Sequence, residues 1–289
     1  MSVILVTGSS TGIGQETALH LARKGHEVYA SVRNPDGADE LKEKIAAENL
    51  PASVIKLDLV DPATVQAAVG DIVQRRGRLD GLVANAGIGA GASVEETGMD
   101  VVREIFETNY FGNVGLLRAV TPVMREQRGG RIVVVGSLAG RYVAGCHAHY
   151  SASKWAMEGL CEALAQEMAE FGAHVAIVEP GCVATPMWTK AAPSDAPPLY
   201  PRNVARLMRF FEVGLSTPAT PTDVAEVIEE ALTADPPRFR YPVGKDAEEI
   251  IAGRIRVGDE TWIKMLCTAD DEEFADRWTD IVGVDYYRE

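Results

Sequence analysis

The junction between the first apolar segment and a glycine-rich turn constrains the fold of this chain more than any other feature. Residues 2–7 are mostly apolar and β-branched, as in a strand that is buried on both faces of a sheet. The turn at residues 7–14 reads TGSSTGIG, and a helical pattern follows it as far as Gly25. Such a junction binds phosphate, because glycines allow close backbone approach and a helix N-terminus attracts anions. It predicts the first unit of a dinucleotide-binding fold, although an ordinary turn with helix-capping serines is the alternative. The candidate contacts are Gly8, Ser10, Thr11, Gly12, Ile13 and Gly14.

The alternation of strand and helix continues along the chain. Parallel strands joined by crossover helices end at one edge of their sheet, and that edge is where such sheets bind ligands. The sequence therefore predicts an α/β protein with a doubly wound parallel sheet, the Rossmann fold. Further strands are predicted at 27–32, 53–57, 81–84, 131–135, 173–178 and, at the edge, 238–243, with helices at 38–48, 62–76, 99–128, 151–170, 203–213 and 224–232.

The regular alternation lapses after Thr185. Proline-rich residues 191–201 lie inside a segment, 186–215, that is predicted to cover the substrate cleft. We expect a single domain, in which residues 1–245 form the dinucleotide-binding and catalytic part and 246–289 form a C-terminal helical extension. The extension closes the substrate pocket, packs against a partner subunit or caps the sheet, and the sequence leaves these alternatives open.

Composition excludes several classes of function. The 289 residues carry 28 Lys and Arg against 42 Asp and Glu, a formal net charge of −14 without a basic stripe, so nucleic-acid binding is not expected. No segment reaches the roughly 20 apolar residues that span a bilayer. The apolar run at residues 2–7 is too short for a signal peptide, so we expect a cytoplasmic protein with no membrane partner. The cysteines lie far apart without a CxxC pair, which predicts free thiols and no metal site: Cys146, Cys161, Cys182 and Cys267.

The end of the second strand bears on the choice of cofactor. An acidic residue at this position binds the adenosine ribose hydroxyls of NAD, whereas a basic residue suits the 2′-phosphate of NADP. Here Val32 and Arg33 occupy the corner, and Asp36 and Asp39 lie further along the chain. We therefore predict that Arg33 selects NADP, with NAD less favoured. A solvated surface arginine is the alternative.

Two further strand ends carry candidate cofactor contacts. Asp58 follows the third strand and is predicted to accept a hydrogen bond from the adenine amino group, with Leu59 packed on the ring. An N-cap or turn aspartate is the alternative at this position. The fourth strand leads into Asn85, Ala86 and Gly87, a turn of small residues that allows the backbone to approach the nicotinamide side of the cofactor.

Asn109 lies inside the predicted helix 99–128, shortly before Gly112. Asparagine is an indifferent helix former, so its interior position predicts a local distortion that exposes a carbonyl or binds water. A tolerated surface residue is the alternative.

The most reactive arrangement runs from Ser137 to Lys154. Tyr150 follows the serine by thirteen positions and precedes the lysine by four, so tyrosine and lysine share a helix face if Ser151 onward is helical. A free tyrosine has a pKa of about 10 and is a poor acid or base near neutrality, but a fixed ammonium beside it favours the phenolate. With a serine hydroxyl to hold a substrate oxygen, these residues suit general acid–base chemistry on an alcohol or a carbonyl.

These motifs, taken in order, resemble those of the short-chain dehydrogenases/reductases over roughly residues 2–245. The turn has the TGxxxGxG form of the single-domain members, and Ala84 stands where the family usually has a first asparagine. The sequence VYASVRNP around Arg33 is similar to that of NADP-preferring members related to 17β-hydroxysteroid and retinol dehydrogenases. The residues that carry the resemblance are the glycine turn, Asn85, Ala86, Gly87, Asn109, Ser137, Tyr150, Lys154, Pro180 and Gly181.

The resemblance implies an NADP(H)-dependent oxidoreductase that interconverts a secondary alcohol and a ketone or aldehyde. Tyr150 would exchange a proton with the substrate oxygen, while Lys154 would favour the tyrosinate and bind the nicotinamide ribose. Ser137 would orient the substrate oxygen, and Asn109 would hold a water that links Lys154 to solvent. The family also implies a homodimer or homotetramer. The residues that would line the nicotinamide, besides those of the strand-end turn, are Pro180, Gly181, Val183 and Thr185.

The predicted substrate wall flanks the catalytic positions and consists of Val143, His147, Met187 and Trp188. Such a wall suggests that the substrate is a hydrophobic alcohol or ketone of a cyclic or steroid-like kind. The alternative for His147 is a catalytic role. Three rival functions stay open. They are an NAD-dependent hydroxysteroid-type dehydrogenase, a dinucleotide-sensing regulator that has lost the chemistry, and an isomerase or dehydratase that uses the same tyrosine.

Overall fold

The structure is a computed structural model that describes residues 1–89, 91–186 and 197–288. Within these residues, seven strands form one sheet in which every pairing is parallel. The strands are β1 (Val3–Val6), β2 (Glu27–Val32), β3 (Ala52–Lys56), β4 (Gly81–Ala84), β5 (Gly130–Val135), β6 (Ala173–Pro180) and β7 (Arg240–Val243).

The strand order β3-β2-β1-β4-β5-β6-β7 confirms the doubly wound parallel sheet. The chain moves outward from β1 to β3, returns to place β4 beside β1, and then continues outward to β7. The direction of winding therefore reverses between β1 and β4. The turns that follow these two strands lie at this reversal, which is where open α/β sheets bind their ligands.

Helices cover both faces of the sheet. Apolar side chains of α3 (Pro62–Arg76), α5 (Asn113–Gln127) and α6 (Ala148–Ala169) pack with one face. Those of α1 (Gly12–Arg23), α2 (Asp39–Ala47) and α8 (Pro221–Thr233) pack with the other face. The strands are buried on both sides for this reason, which explains their continuous apolar sequences. The helices are α1 (Gly12–Arg23), α2 (Asp39–Ala47), α3 (Pro62–Arg76), α4 (Met99–Phe106), α5 (Asn113–Gln127), α6 (Ala148–Ala169), α7 (Pro201–Gly214), α8 (Pro221–Thr233), α9 (Lys245–Leu266) and α10 (Asp271–Val282).

The helix predicted at 99–128 contains a local distortion, as the position of Asn109 suggested. A π-helical turn at Glu107–Gly112 separates α4 from α5. Gly112 faces Leu59 across this turn, and a Cβ on the glycine would lie 2.7 Å from the leucine Cβ. Glycine is therefore required where the loop after β3 approaches the helix.

The C-terminal extension is helical, as predicted, and it builds a third apolar cluster. Trp262 of α9 and Trp278 of α10 are fully buried, with ring centroids 5.9 Å apart. Both rings lie against Tyr142, which belongs to the segment between Ser137 and Tyr150. The extension thus packs on the chain that carries the predicted catalytic residues.

No helix in the described part of the chain is long and apolar enough to cross a membrane.

Candidate active site at the carboxyl edge of the sheet

The glycine turn after β1 has a backbone that other residues would not adopt. Gly8 and Gly12 have φ values of 69° and 62°, in the left-handed region that disfavours side chains. Gly14 has no room for a Cβ, which would overlap the carbonyl oxygen of Gly8. The glycines in the TGSSTGIG sequence are thus explained by the course of the turn itself.

Hydrogen bonds join the glycine turn to the turn that follows β4. The Thr7 hydroxyl oxygen accepts hydrogen bonds from the backbone N–H groups of Asn85 (3.0 Å) and Ala86 (3.1 Å). In return, the Asn85 side-chain amide donates to the carbonyl oxygens of Thr7 (2.9 Å) and Gly8 (3.3 Å). In the structure, Asn85 holds the glycine turn in place, whereas its predicted contact with the cofactor stays a prediction.

The N-terminus of α1 fits an anionic phosphate group. Ser10 and Thr11 are exposed, and Thr11 occupies the N-cap without a side-chain capping bond. The first turn of the helix has no acidic residue. Thr185 from the loop after β6 approaches this turn, since its Cγ2 lies 3.3 Å from the position of a Cβ on Gly12. The turn therefore combines the backbone N–H donors of the first turn of α1, the positive end of the helix dipole, and Thr185 close by on the opposite side.

The structure places Arg33 and Asp58 at adjacent strand ends. Arg33 is exposed at the end of β2, and its guanidinium forms no ion pair or hydrogen bond with the described residues. Asp58 forms an Asx turn, in which Oδ1 accepts from the backbone N–H of Val60 at 3.2 Å. Leu59 is buried against Gly112. Asp58 is thus a turn aspartate, which was the alternative to a contact with adenine. Its Oδ2 has no hydrogen-bond partner among the described residues.

The tyrosine and the lysine lie in the first two turns of α6, which begins at Ala148, earlier than predicted. Lys154 is 8% exposed, and its Nζ donates to the carbonyl oxygen of Val135 at 3.0 Å. The same Nζ lies 5.8 Å from the centroid of the Tyr150 ring. The Tyr150 hydroxyl makes no hydrogen bond to the described residues. A buried ammonium is therefore fixed beside a phenol that is free to bind another group.

Asn109 joins the π-helical turn to both of its neighbours. Its Oδ1 accepts from the backbone N–H of Ile88 (2.8 Å), and its Nδ2 donates to Ile88 O (2.9 Å) and Ser153 Oγ (3.0 Å). A Cβ on Gly87 would lie 3.1 Å from Asn109 Oδ1 and 3.8 Å from Lys154 Nζ. The turn after β4, the π-helical turn and α6 therefore meet at Gly87. No sequence pattern pointed to Ser153, which is buried in this contact.

Ser137 follows β5 and is two residues from the carbonyl that anchors the lysine. Its Oγ accepts a hydrogen bond from the backbone N–H of Ala139 (3.1 Å), at the start of a short 3-10 turn at Leu138–Gly140. This bond uses a lone pair of the hydroxyl and leaves its proton available for a substrate oxygen.

The ring of His147, which is predicted to contact the substrate, lies beside Tyr150. The two rings are stacked with centroids 4.9 Å apart, and Phe211 of α7 lies edge-on to the histidine at 5.8 Å. Burial lowers the pKa of His147 to about 4, so the ring is neutral near pH 7. Val143 is half-buried nearby in sequence. Met187 and Trp188 lie outside the described residues.

The loop after β6 is held on two sides. Gly181 N–H donates to Val243 O of β7 at 2.9 Å, and Val183 forms a parallel bridge with Ala219. A further bond joins Cys182 N–H to the Asp246 carboxylate of α9 at 2.6 Å. Asp246 was missed by the sequence analysis. The available signal was an acidic residue in the first turn of the helix that follows the last strand.

A buried acidic pair, which the sequence did not single out, lies against residues 136–140, the segment that contains Ser137. Glu158 of α6 and Glu179 of β6 are 6% and 1% exposed. Arg240 donates to Glu158 at 3.1 Å, and Arg141 donates to Glu179 at 3.1 Å. Burial, reinforced by the charge of Glu179, raises the pKa of Glu158 to about 7. Glu158 packs against the segment that contains Ser137, because a Cβ on Gly136 or Gly140 would lie 3.4 or 3.2 Å from Glu158 Oε1.

No group of three or more histidine, cysteine, aspartate or glutamate side chains in the described ranges could hold a metal ion. The four cysteines are free thiols.

Comparisons with known proteins agree with this arrangement. The family described as short chain dehydrogenase matches residues 2–196. The chain is 32% identical over 288 residues to human 17-beta-hydroxysteroid dehydrogenase type 1, covering 95% of this chain and 87% of the human protein. It is 32% identical over 273 residues to the uncharacterized oxidoreductase YusZ of Bacillus subtilis, covering 91% and 96% of the two chains. The crystal structure of a short-chain dehydrogenase from Streptomyces avermitilis is similar with a TM-score of 0.81 at 35% identity, covering 91% of this chain and 96% of that one.

Proposed function

This chain belongs to the short-chain dehydrogenase/reductase family, and we propose that it is an NADP(H)-dependent enzyme that interconverts a secondary alcohol and a ketone or aldehyde on a hydrophobic small molecule. Membership makes it an oxidoreductase that uses a nicotinamide dinucleotide and a small-molecule substrate. One observation supports the proposed chemistry above all others. The Lys154 ammonium is buried and anchored 5.8 Å from the ring centroid of Tyr150, whose hydroxyl is free of described partners.

In the proposed mechanism, Tyr150 donates a proton to the carbonyl oxygen during reduction and takes one from the alcohol during oxidation. Lys154 is proposed to bind the nicotinamide ribose and to keep its ammonium group next to the tyrosine, with Nζ 5.8 Å from the ring centroid. The stacked ring of His147 is neutral and adds no second cation near the tyrosine.

Ser137 is proposed to orient the substrate oxygen, since its proton is available for donation. Asn109 is proposed to hold a water that connects Lys154 to solvent. The proximity of Asn109 Oδ1 and Lys154 Nζ to Gly87 supports this role. Both residues orient groups that react at Tyr150, and neither forms a bond with the substrate carbon.

The residues present fit a nicotinamide dinucleotide. When bound, the cofactor supplies or accepts the hydride, which is the part of the reaction that side chains cannot perform. The glycine turn and the exposed Ser10 and Thr11 hydroxyls would bind its pyrophosphate, and Arg33 a 2′-phosphate. The remaining proposed contacts are Asp58 and Leu59 on the adenine side, Asn85, Ala86 and Gly87 after β4, and Pro180, Gly181, Val183 and Thr185 on the nicotinamide side.

The substrate side of Tyr150 suggests a flat, apolar molecule. His147 and Phe211 present aromatic surfaces there, and Val143, four residues before His147, is the proposed aliphatic contact. The human relative is named as a dehydrogenase of 17-beta-hydroxysteroids. We therefore propose a cyclic or steroid-like alcohol and ketone pair as the first class to test.

A homodimer or homotetramer is also proposed. Phe111 and Trp155 belong to the helical region around Asn109 and Tyr150, and they are 55% and 40% exposed in the single chain. Large apolar side chains at the surface of adjacent helices are typical of a subunit interface.

A substrate panel tests the proposed reaction. The purified chain is incubated with NADPH or NADH and a series of cyclic and steroid ketones, and nucleotide consumption is compared with alcohol formation. We expect equal amounts of NADPH consumed and alcohol formed, with a smaller rate for NADH. Binding of NADPH without turnover across the panel would instead favour a dinucleotide-sensing regulator, and product formation without a net change in nucleotide would favour an isomerase or dehydratase.

A further inference from the structure

A single carboxylate of the C-terminal extension holds the loop that follows β6. Asp246 lies in the first turn of α9 and is 7% exposed. Its Oδ2 accepts a hydrogen bond from Cys182 N–H at 2.6 Å, and its Oδ1 accepts one from Ala247 N–H at 2.9 Å. Burial raises the pKa of Asp246, and backbone N–H groups and the Cys182 thiol oppose that effect among the described residues. The two oxygens of Asp246 are therefore divided between its own helix and the loop.

The backbone around this carboxylate is shaped by glycines. A Cβ on Gly181 would overlap Asp246 Oδ1, and a Cβ on Gly244 would lie 2.7 Å from the same atom. Gly214 of α7 is equally close to the other partner, because its Cβ would lie 2.5 Å from Cys182 Sγ. Glycine at 181 is thus explained by the approach of Asp246, and the loop and the carboxylate fit together in one arrangement.

The bond to Cys182 fixes the orientation of the preceding peptide plane. In a trans peptide the N–H and C=O groups point in opposite directions, so the Gly181 carbonyl is turned away from Asp246. Gly181 N–H is bound to Val243 O at 2.9 Å, and Cys182 O accepts from Ala219 N–H at 3.0 Å. Three bonds to three separate segments therefore determine the course of the loop.

We infer that Asp246 is a positioning residue of the dinucleotide site, which presents the backbone of residues 181–183 to the nicotinamide end of the cofactor. The inference rests on the proposed function, in which this loop lines that end. Asp246 acts only through the loop and is not a catalytic residue. An ordinary helix cap would bind N–H groups of its own helix alone, whereas this carboxylate reaches a residue 64 positions earlier.

The test compares Asp246→Asn with the control variant Glu248→Gln in the full chain. Glu248 is exposed in the same turn of α9, so its replacement removes one negative charge without touching the loop. Asparagine keeps the size of aspartate but places an amide NH₂ group against one of the two backbone N–H donors. We expect the dissociation constant of NADPH, measured by fluorescence titration, to rise roughly tenfold in Asp246→Asn, near the lower end of the range for loss of one hydrogen bond to a charged acceptor. The KM for NADPH should rise with it, and Glu248→Gln should match the wild type.

A merely structural role predicts a different result. Asp246→Asn would then lower the unfolding temperature but bind NADPH as tightly as the wild type, and that outcome overturns the inference alone. If the wild-type chain binds neither NADPH nor NADH, the proposed function is overturned and the inference with it. Should Asp246→Asn not fold, the smaller substitution Asp246→Ser decides. Weaker NADPH binding by Asp246→Ser supports the inference, and NADPH affinity equal to that of the wild type overturns it.

Discussion

At the scale of single residues, the site depends on a few polar groups whose partners are backbone atoms. Lys154 is held by a carbonyl oxygen of β5, Asn109 by both backbone groups of Ile88, and Asp246 by the N–H of Cys182. A buried charge or amide is stable only when such partners satisfy it. Each of these side chains therefore links two segments of the chain, and its geometry follows from the backbone on both sides.

Arg33 provides the test of cofactor choice. Its exposed guanidinium has no partner among the described residues, so it is available to a 2′-phosphate. Arg33→Ala should weaken NADPH binding by roughly 10- to 100-fold and leave NADH binding unchanged, because a charge-assisted hydrogen bond contributes about 1.5–3 kcal/mol. Titration of both nucleotides at low and high salt measures the effect, which salt should reduce.

The matched control for this prediction is Arg125→Ala. Arg125 is an exposed arginine in α5, remote in sequence from Arg33. Its replacement by alanine changes the net charge by the same amount as Arg33→Ala. Equal losses of NADPH affinity in the two variants would mean that general charge, and not the position at the end of β2, governs the preference.

At the scale of elements, α6 organises the site along its length. Tyr150 and Lys154 stand in its first two turns, and Glu158 follows one turn later, beside Glu179 of β6. One helix thus carries the proposed catalytic pair and, one turn further, a buried acidic residue that lies against Gly136 and Gly140. The spacing of four residues places all three on related positions of one helix face.

The raised pKa of Glu158 predicts how stability depends on pH. The folded value is about 7, whereas the ordinary value is 4.5, so between these limits the folded chain holds a proton that the unfolded chain has released. This group therefore reduces the free energy of unfolding as the pH rises through that window, and the loss is complete above pH 7. Glu158→Gln should remove this loss and gain on the order of 2 kcal/mol relative to the wild type between pH 5 and pH 8.

Denaturant unfolding of both chains at several pH values measures this difference. Glu162→Gln is the control, because Glu162 is exposed on the same helix and also accepts a hydrogen bond from Arg240, at 3.3 Å. The charges that face Glu158 are those of Glu179, Arg240 and Arg141. A pH dependence that is identical in the two variants would contradict the assignment to Glu158.

At the scale of the whole molecule, the C-terminal extension completes the site from outside the sheet. Trp278, Trp262 and Tyr142 form an aromatic cluster in which α9 and α10 pack on the segment that joins Ser137 to Tyr150. Asp246 adds a polar connection from the same extension to the loop after β6. The two loops nearest the proposed nicotinamide position are thus both supported by residues beyond the last strand.

Trp278→Ala tests this support. The side chain is fully buried, so its removal should lower the free energy of unfolding by about 3–5 kcal/mol. Thermal and denaturant unfolding provide the measurement. Ile263→Ala in α9 is the control, since Ile263 is 53% exposed and should lose less than about 1 kcal/mol. Equal losses in the two variants would show that α10 is only loosely attached.

The sequence predicted the features that depend on neighbouring residues. The strand–turn–helix junction, the parallel alternation and the spacing of Tyr150 and Lys154 are local patterns, and the structure has the predicted fold. Contacts between segments that are distant along the chain leave no such local pattern in the sequence. The bond from Asp246 to Cys182 joins residues 64 positions apart, and Asn109 meets Ser153 across 44 positions. A buried acid looks like any surface acid in a sequence, because only the folded chain determines what covers it.

The measurement that tests the central claim most directly is the turnover of Tyr150→Phe with NADPH and a ketone identified by the panel. The substitution removes one hydroxyl and keeps the ring that stacks on His147. We predict that kcat falls roughly 10²- to 10⁴-fold, the usual contribution of a general acid, while the dissociation constant of NADPH stays within about twofold of the wild-type value. A variant that keeps the wild-type kcat would contradict the assignment of proton transfer to Tyr150.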